Sequence, residues 1–164
     1  KRISNDLLGY LASSISGTSI ARGTSFLKDS LGKQIFNKDV TIIDDPAINR
    51  GLGSKPFDGE GVKVEKRELV SNGKLNTWIL NTSTAKKLGL KTTGNASRSV
   101  GSPPGVSTSN LYMTNGLKSY DDILSSINYG FYATELIGMG VNLVTGDYSM
   151  GASGMLIELS LIHI

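Results

Sequence analysis

Leu7, Leu8, Leu11, Ala12 and Ile15 recur at helical spacing and predict a helix over residues 4–16. Ser4 or Asn5 would cap it, Asp6 suits its first turn, and Gly17 offers a stop. Residues 25–32 read as a helical turn ended by Gly32. The β-branched run 40–43 predicts a strand, broken by Asp44-Asp45-Pro46. Residues 61–70 and 75–80 then flank Ser71-Asn72-Gly73-Lys74. Asn-Gly between two β-rich runs is a strong hairpin signal, because both central residues of a type I′ turn need positive φ. Trp78, just beyond, is expected to cover a hydrophobic core, with ligand stacking as the alternative.

Residues 82–88 predict a short helix closed by Gly89. Residues 92–108 are rich in Gly, Ser, Thr and Pro, and a loop that long is expected to be functional or disordered. A strand resumes at 110–113. Ser119 and Asp122 form a capping box, and the helix they open should bury Tyr120, Ile123, Leu124 and Ile127. Strand material follows at 131–137, 141–145 and 152–158, interrupted by glycines that mark bends or close backbone approach. Hairpins with a few short helices, rather than alternating βαβ units, predict an α+β fold with a mostly antiparallel sheet.

Composition narrows the chemistry. The 164 residues contain no Cys and one His, His163. That excludes a disulfide framework and a Cys nucleophile, and leaves a zinc site or a Ser-His-Asp triad with almost no donors. No apolar run approaches the ~20 residues of a membrane span. The first residues have neither Met nor a signal-peptide core, so the chain is expected to start inside a longer protein. Net charge is +3, but residues 1–98 carry 16 Lys/Arg against 9 Asp/Glu, and residues 99–164 carry 1 against 5. The bases are spread singly, and Lys66-Arg67 is flanked by Glu65 and Glu68. Such alternation describes a solvated face better than a nucleic-acid footprint.

Phosphate-binding patterns fail. Gly32-Lys33 lacks the spacing of a P-loop, and Gly138-Met139-Gly140 lacks the third glycine and the context of a dinucleotide fingerprint. The adjacent acids Asp44-Asp45 and Asp121-Asp122 read as structural. The segment 58–61 resembles half a calcium loop without its ligand spacing, and reads as a turn. Residues 140–154 are the most unusual stretch: small residues and glycines with one carboxylate and hydroxyls. It is either a glycine-bent pair of strands or a strip facing a substrate or subunit.

Residues 141–149 (Val-Asn-Leu-Val-Thr-Gly-Asp-Tyr-Ser) and 151–154 (Gly-Ala-Ser-Gly) resemble the signature of the PmbA (TldE) branch of the TldD/PmbA family, once called modulators of DNA gyrase. Residues 25–27, 29–34, 56–62, 88–96 and 110–112 resemble further family blocks, in family order. The resemblance covers residues 1–158, read as a fragment of the C-terminal domain, and leaves 159–164 as a tail that does not match. Met150 departs from the family's usual Arg.

The resemblance implies part of a two-subunit cytoplasmic zinc metalloprotease that processes or degrades unfolded peptides. Zinc is implied only in a TldD-like partner subunit, and no cofactor in this segment. The segment would supply scaffold and a wall of the peptide chamber, with Asn110, Tyr112, Thr145 and Asp147 as candidate substrate-binding residues. Turn and strand-end hydrogen bonding is the alternative role for these four. No membrane contact is implied, and a nucleic-acid partner is not expected. The alternative reading is a regulatory or interaction protein of the DNA gyrase modulator type, without peptidase activity.

Overall fold

The computed structural model describes residues 2–158 and 161–163. Helix α1 spans Arg2–Ser14 and α2 spans Gly17–Arg22. Strands β1 (Ile42–Asp44), β2 (Arg67–Ser71) and β3 (Lys74–Leu75) come next, followed by helix α3 (Thr82–Lys87). Then come β4 (Ala96–Ser97), β5 (Gly105–Val106) and β6 (Leu111–Met113), helix α4 (Tyr120–Ser125), and β7 (Tyr129–Ile137), β8 (Gly151–Glu158) and β9 (Leu161–His163). Every strand pair within these sheets is antiparallel, so the fold is α+β as its hairpins imply.

The main sheet has the order β3-β2-β1-β6, and α1 packs on it. Leu11 and Ile15 of α1 join Leu27, Ile42, Leu69, Val70, Leu75 and Ile79 in one buried cluster. Burial of each such side chain contributes about 1.5–3 kcal/mol. Register slips where Ile42 faces Val70 but Ile43 faces Glu68, so Leu69 is an extra residue in β2. That bulge breaks the alternation of faces, and Leu69 and Val70 are both fully buried. The turn between β2 and β3 places Asn72 at φ 48° and Gly73 at φ 75°, the two positive angles that the Asn-Gly pair predicts.

Helix α1 begins earlier than its sequence stripe indicates. Ser4 and Asn5 therefore lie inside the helix rather than at its cap. Its end is held by Ser25, whose buried hydroxyl donates to the Ser14 carbonyl at 2.6 Å and accepts from Leu27 N–H at 3.1 Å. Gly17 opens α2 rather than stopping α1.

The segment 92–108 is not an open loop. It forms the β4–β5 hairpin, with Thr93, Asn95 and Ala96 buried. Asn81 caps α3 by accepting from Thr84 N–H at 2.8 Å, and its amide donates to the carbonyls of Pro104 and Gly105. Buried amides and hydroxyls thus take the place of apolar packing.

Strands β7, β8 and β9 form a second sheet, in which β7 and β8 are largely exposed. The Ser119 capping box forms as expected, but α4 does not bury its apolar stripe. Tyr120 and Ile123 are exposed, because α4 lies on this open sheet and meets it through an edge-on contact between Tyr120 and Tyr132 at 6.0 Å. Residues 141–145 are not a strand either. They form a turn closed by a bridge between Val141 and Tyr148. Leu159, Ser160 and Ile164 of the tail lie outside the described residues, as does the side chain of His163.

Candidate functional site

A cavity of about 760 Å³ forms an open groove between α1, strand β6 and the 141–148 turn. Its walls are mostly apolar, from Leu7, Phe26, Phe36, Met113 and Leu143, with polar groups from Asn115 and Asn142. This volume is that of an ordinary ligand cleft.

Strand β6 lies at the end of the main sheet. The Asn110 carbonyl accepts from Asp45 N–H, and Thr114 N–H donates to the Thr41 carbonyl, both at 3.0 Å. In an antiparallel ladder alternate residues face the partner strand. Residues 110, 112 and 114 therefore bond to β1, and the backbone groups of Leu111 and Met113 face an edge that is free among the described residues. The opposite edge is covered, because Gly32 N–H donates to the Leu75 carbonyl and Leu75 N–H to the Lys33 carbonyl.

The 141–148 turn is built by Asn142. Its side-chain carbonyl accepts from Val144 N–H at 2.9 Å, and its backbone carbonyl from Gly146 N–H at 2.8 Å. Two contacts tie the turn to the N-terminal region. Phe26 N–H donates to the Leu143 carbonyl at 2.9 Å, and Tyr148 meets Tyr10 edge-on at 5.9 Å. A Cβ on Gly140 would overlap the Ser149 carbonyl oxygen, so glycine is required for this close return of the chain.

Of the four candidate residues, only Tyr112 lines the groove. Asn110 lies just before β6 and acts as a clamp. Its Oδ1 accepts from Gly53 N–H at 2.9 Å, while its Nδ2 donates to the Asp45 carbonyl at 2.7 Å and to Ser54 Oγ at 2.9 Å. Thr145 and Asp147 are exposed on the turn, away from the groove walls, and the Thr145 hydroxyl donates to Asp147 Oδ2 at 2.6 Å. Sequence reasoning missed the groove residues Phe26, Phe36 and Asn142. Leu7, which the helical stripe groups with core residues, is exposed and lines the groove instead, and the sequence carries no signal that sets it apart.

Next to Tyr112, Lys66 Nζ lies 3.5 Å from Asp45 Oδ2. The Tyr112 side chain first, and the Asp45 carboxylate second, hold the Lys66 ammonium above its ordinary pKa. Lys66 is well exposed, so this cluster adds little stability.

The acids do not form a metal donor set. Asp44 and Asp45 alternate in environment as neighbours on a strand should. Asp44 is buried, accepting from Ser109 N–H at 2.7 Å and Asn95 Nδ2 at 2.8 Å, whereas Asp45 is half-buried beside Lys66. Asp58 is buried in the 58–61 turn and accepts from the N–H groups of Glu60, Val62 and Ala96. Among the described residues no three His, Asp or Glu side chains converge where they could hold a metal ion. The side chains of the described residues therefore do not fit a zinc site. No helix among the described residues is long and apolar enough to cross a membrane.

An antiparallel α+β scaffold with a ligand-sized apolar groove beside a free strand edge defines the class of protein. The model of the PmbA/TldA metallopeptidase C-terminal domain matches residues 1–162, and the chain belongs to this family. It is 40% identical over 156 residues to the metalloprotease PmbA of Escherichia coli O157:H7, covering 95% of this chain and 33% of that protein. Among solved structures, a proposed modulator of DNA gyrase from Bacteroides thetaiotaomicron superposes with a TM-score of 0.85 at 31% identity, covering 98% of this chain and 34% of that one. TldE from Thermococcus kodakarensis superposes with a TM-score of 0.81 at 25% identity, covering 95% and 37%. The chain spans about one third of the length of the curated relatives it matches.

Proposed function

We propose that this chain is part of a PmbA-like (TldE) subunit of a two-subunit, cytoplasmic zinc metalloprotease that processes or degrades unfolded peptides. In this reading a TldD-like partner subunit carries the zinc, and this segment gives scaffold and one wall of the peptide chamber. The observation that carries the reading is the free edge of β6 beside the apolar groove, in a chain of a metallopeptidase family. An extended peptide would add to that edge through the backbone groups of Leu111 and Met113, and place alternate side chains against the groove. Such recognition reads backbone more than sequence, which suits unfolded substrates. Tyr112 is the candidate that the groove supports best. Asn110 would act indirectly, by holding the start of β6, and the exposed Thr145–Asp147 pair would sit at the rim.

The test is reconstitution with a TldD-like subunit. The two should co-purify, and a denatured peptide should be cut only when both are present and zinc is supplied. Chelator-sensitive cleavage by this chain alone would overturn the assignment, as would failure to bind any TldD-like partner. The relatives described as gyrase modulators keep a regulatory role as the second reading. Filter binding to DNA across a salt series separates the two, since a phosphate binder weakens steeply with salt.

A further inference from the structure

A second cavity, about 350 Å³, shares no wall residue with the groove. Leu31, Trp78 and Leu90 give it apolar surface, and Arg67 and Lys91 give it two cations. No Asp or Glu lines it. Arg67 is aimed by its Nε–H, which donates to the Thr93 carbonyl at 3.1 Å. Among the described residues its terminal nitrogens have no acceptor, and Lys91 has no ion pair. The Trp78 indole N–H is shielded from solvent and also lacks an acceptor. The wall hydroxyls are already engaged, with Thr92 donating to the Leu80 carbonyl at 3.2 Å and Thr93 to Asn95 Oδ1 at 2.7 Å.

The Arg67 guanidinium and the Lys91 ammonium thus meet apolar surface with no acid among them. A guest that satisfies this wall brings acceptor oxygens with negative charge at one end and a hydrocarbon side chain at the other. We propose that this cleft binds an apolar carboxylate, such as the C-terminal residue of a peptide ending in a branched aliphatic side chain. The guanidinium and ammonium take the carboxylate, and Leu31, Leu90 and the indole face take the side chain. This inference does not rest on the peptidase reading, because binding here is measured without a partner subunit.

Trp78 is the only tryptophan, so its emission reports the cleft directly. The protein is titrated with N-acetyl-Ala-Leu bearing a free carboxylate, with the same dipeptide as its C-terminal amide, and with isovalerate. The free acid should change Trp78 emission saturably, and the amide should not at tenfold higher concentration. Lys91→Gln should weaken the free acid roughly two- to fivefold. Lys87→Gln, on the exposed side of α3 and outside the cleft, should leave it unchanged. Isovalerate binding as tightly as the dipeptide would identify a small free acid as the guest, and a clear preference for the dipeptide a peptide terminus. Equal response to acid and amide, no saturable response to either acid, or an unchanged affinity in Lys91→Gln would overturn the proposal.

Discussion

Asp44 and Asn110 show how polar residues in this fold spend their hydrogen-bonding capacity internally. Both oxygens of Asp44 are taken, and the residue is 4% exposed. Asp44→Ala should cost about 1–3 kcal/mol for each donor left unpaired, read as a lower urea midpoint. Asn110→Ala should cost a similar amount, because it removes three bonds that pin residues 45–54 to β6. Thr145→Ala, by contrast, removes one exposed contact and should stay within about 0.5 kcal/mol of the parent. These three variants separate residues that build the wall from residues that merely border it. In the sequence they look alike, as polar groups near glycines, since burial depends on chain segments more than 50 residues away.

At the scale of elements, local chemistry was legible where the sequence supplies both halves of an interaction. The Asn72-Gly73 turn and the Ser119–Asp122 capping box need no distant partner, and both form as read. Gly73→Ala should destabilise by about 1–3 kcal/mol from the left-handed backbone alone, with added strain where the new Cβ meets the carbonyls of Phe36 and Asn37. Thermal melting measures it. At the start of α4, hydrogen bonds from the Ser119 side chain and backbone hold the Asp122 carboxyl below its ordinary pKa. A depressed pKa stabilises the folded form fully above the ordinary carboxylate range, and the benefit is lost as pH falls through the lower folded value. Protection of the amides of residues 119–126, taken relative to the intrinsic exchange rate at each pH, should therefore fall at acid pH, and Asp122→Asn should show lower protection already at neutral pH. The illegible elements are those set by long-range context. The Leu69 bulge depends on exact register and the β4–β5 hairpin on Asn81, more than 20 residues earlier, while the 141–148 turn is closed locally by Asn142 but anchored by Phe26 and Tyr10; periodicity carries none of these.

Over the whole molecule, antiparallel pairing gives the α+β class, and hairpin signals make it readable from sequence. The exposure of β7 and β8 was not readable, because apolar residues such as Tyr129 and Phe131 look like core until the structure leaves them 75% and 53% exposed. The edge of β6 yields a prediction at this scale. Met113→Pro removes an outward N–H that β1 does not use, so it should leave the fold intact while weakening capture of an unfolded peptide by the reconstituted complex. Unchanged peptide affinity would remove the edge from the binding surface.

The contacts of Tyr148 with Tyr10, and of Leu143 with Phe26, join residues more than 100 positions apart, and the groove lies along that seam. Anything seated there touches the first helix, the sheet edge and the distal turn together. An occupant acts as a rivet: by mass action it should raise the melting temperature and make the two sheets unfold as one unit. Whatever fills the groove should therefore be detectable as a gain in cooperativity even before its identity is known.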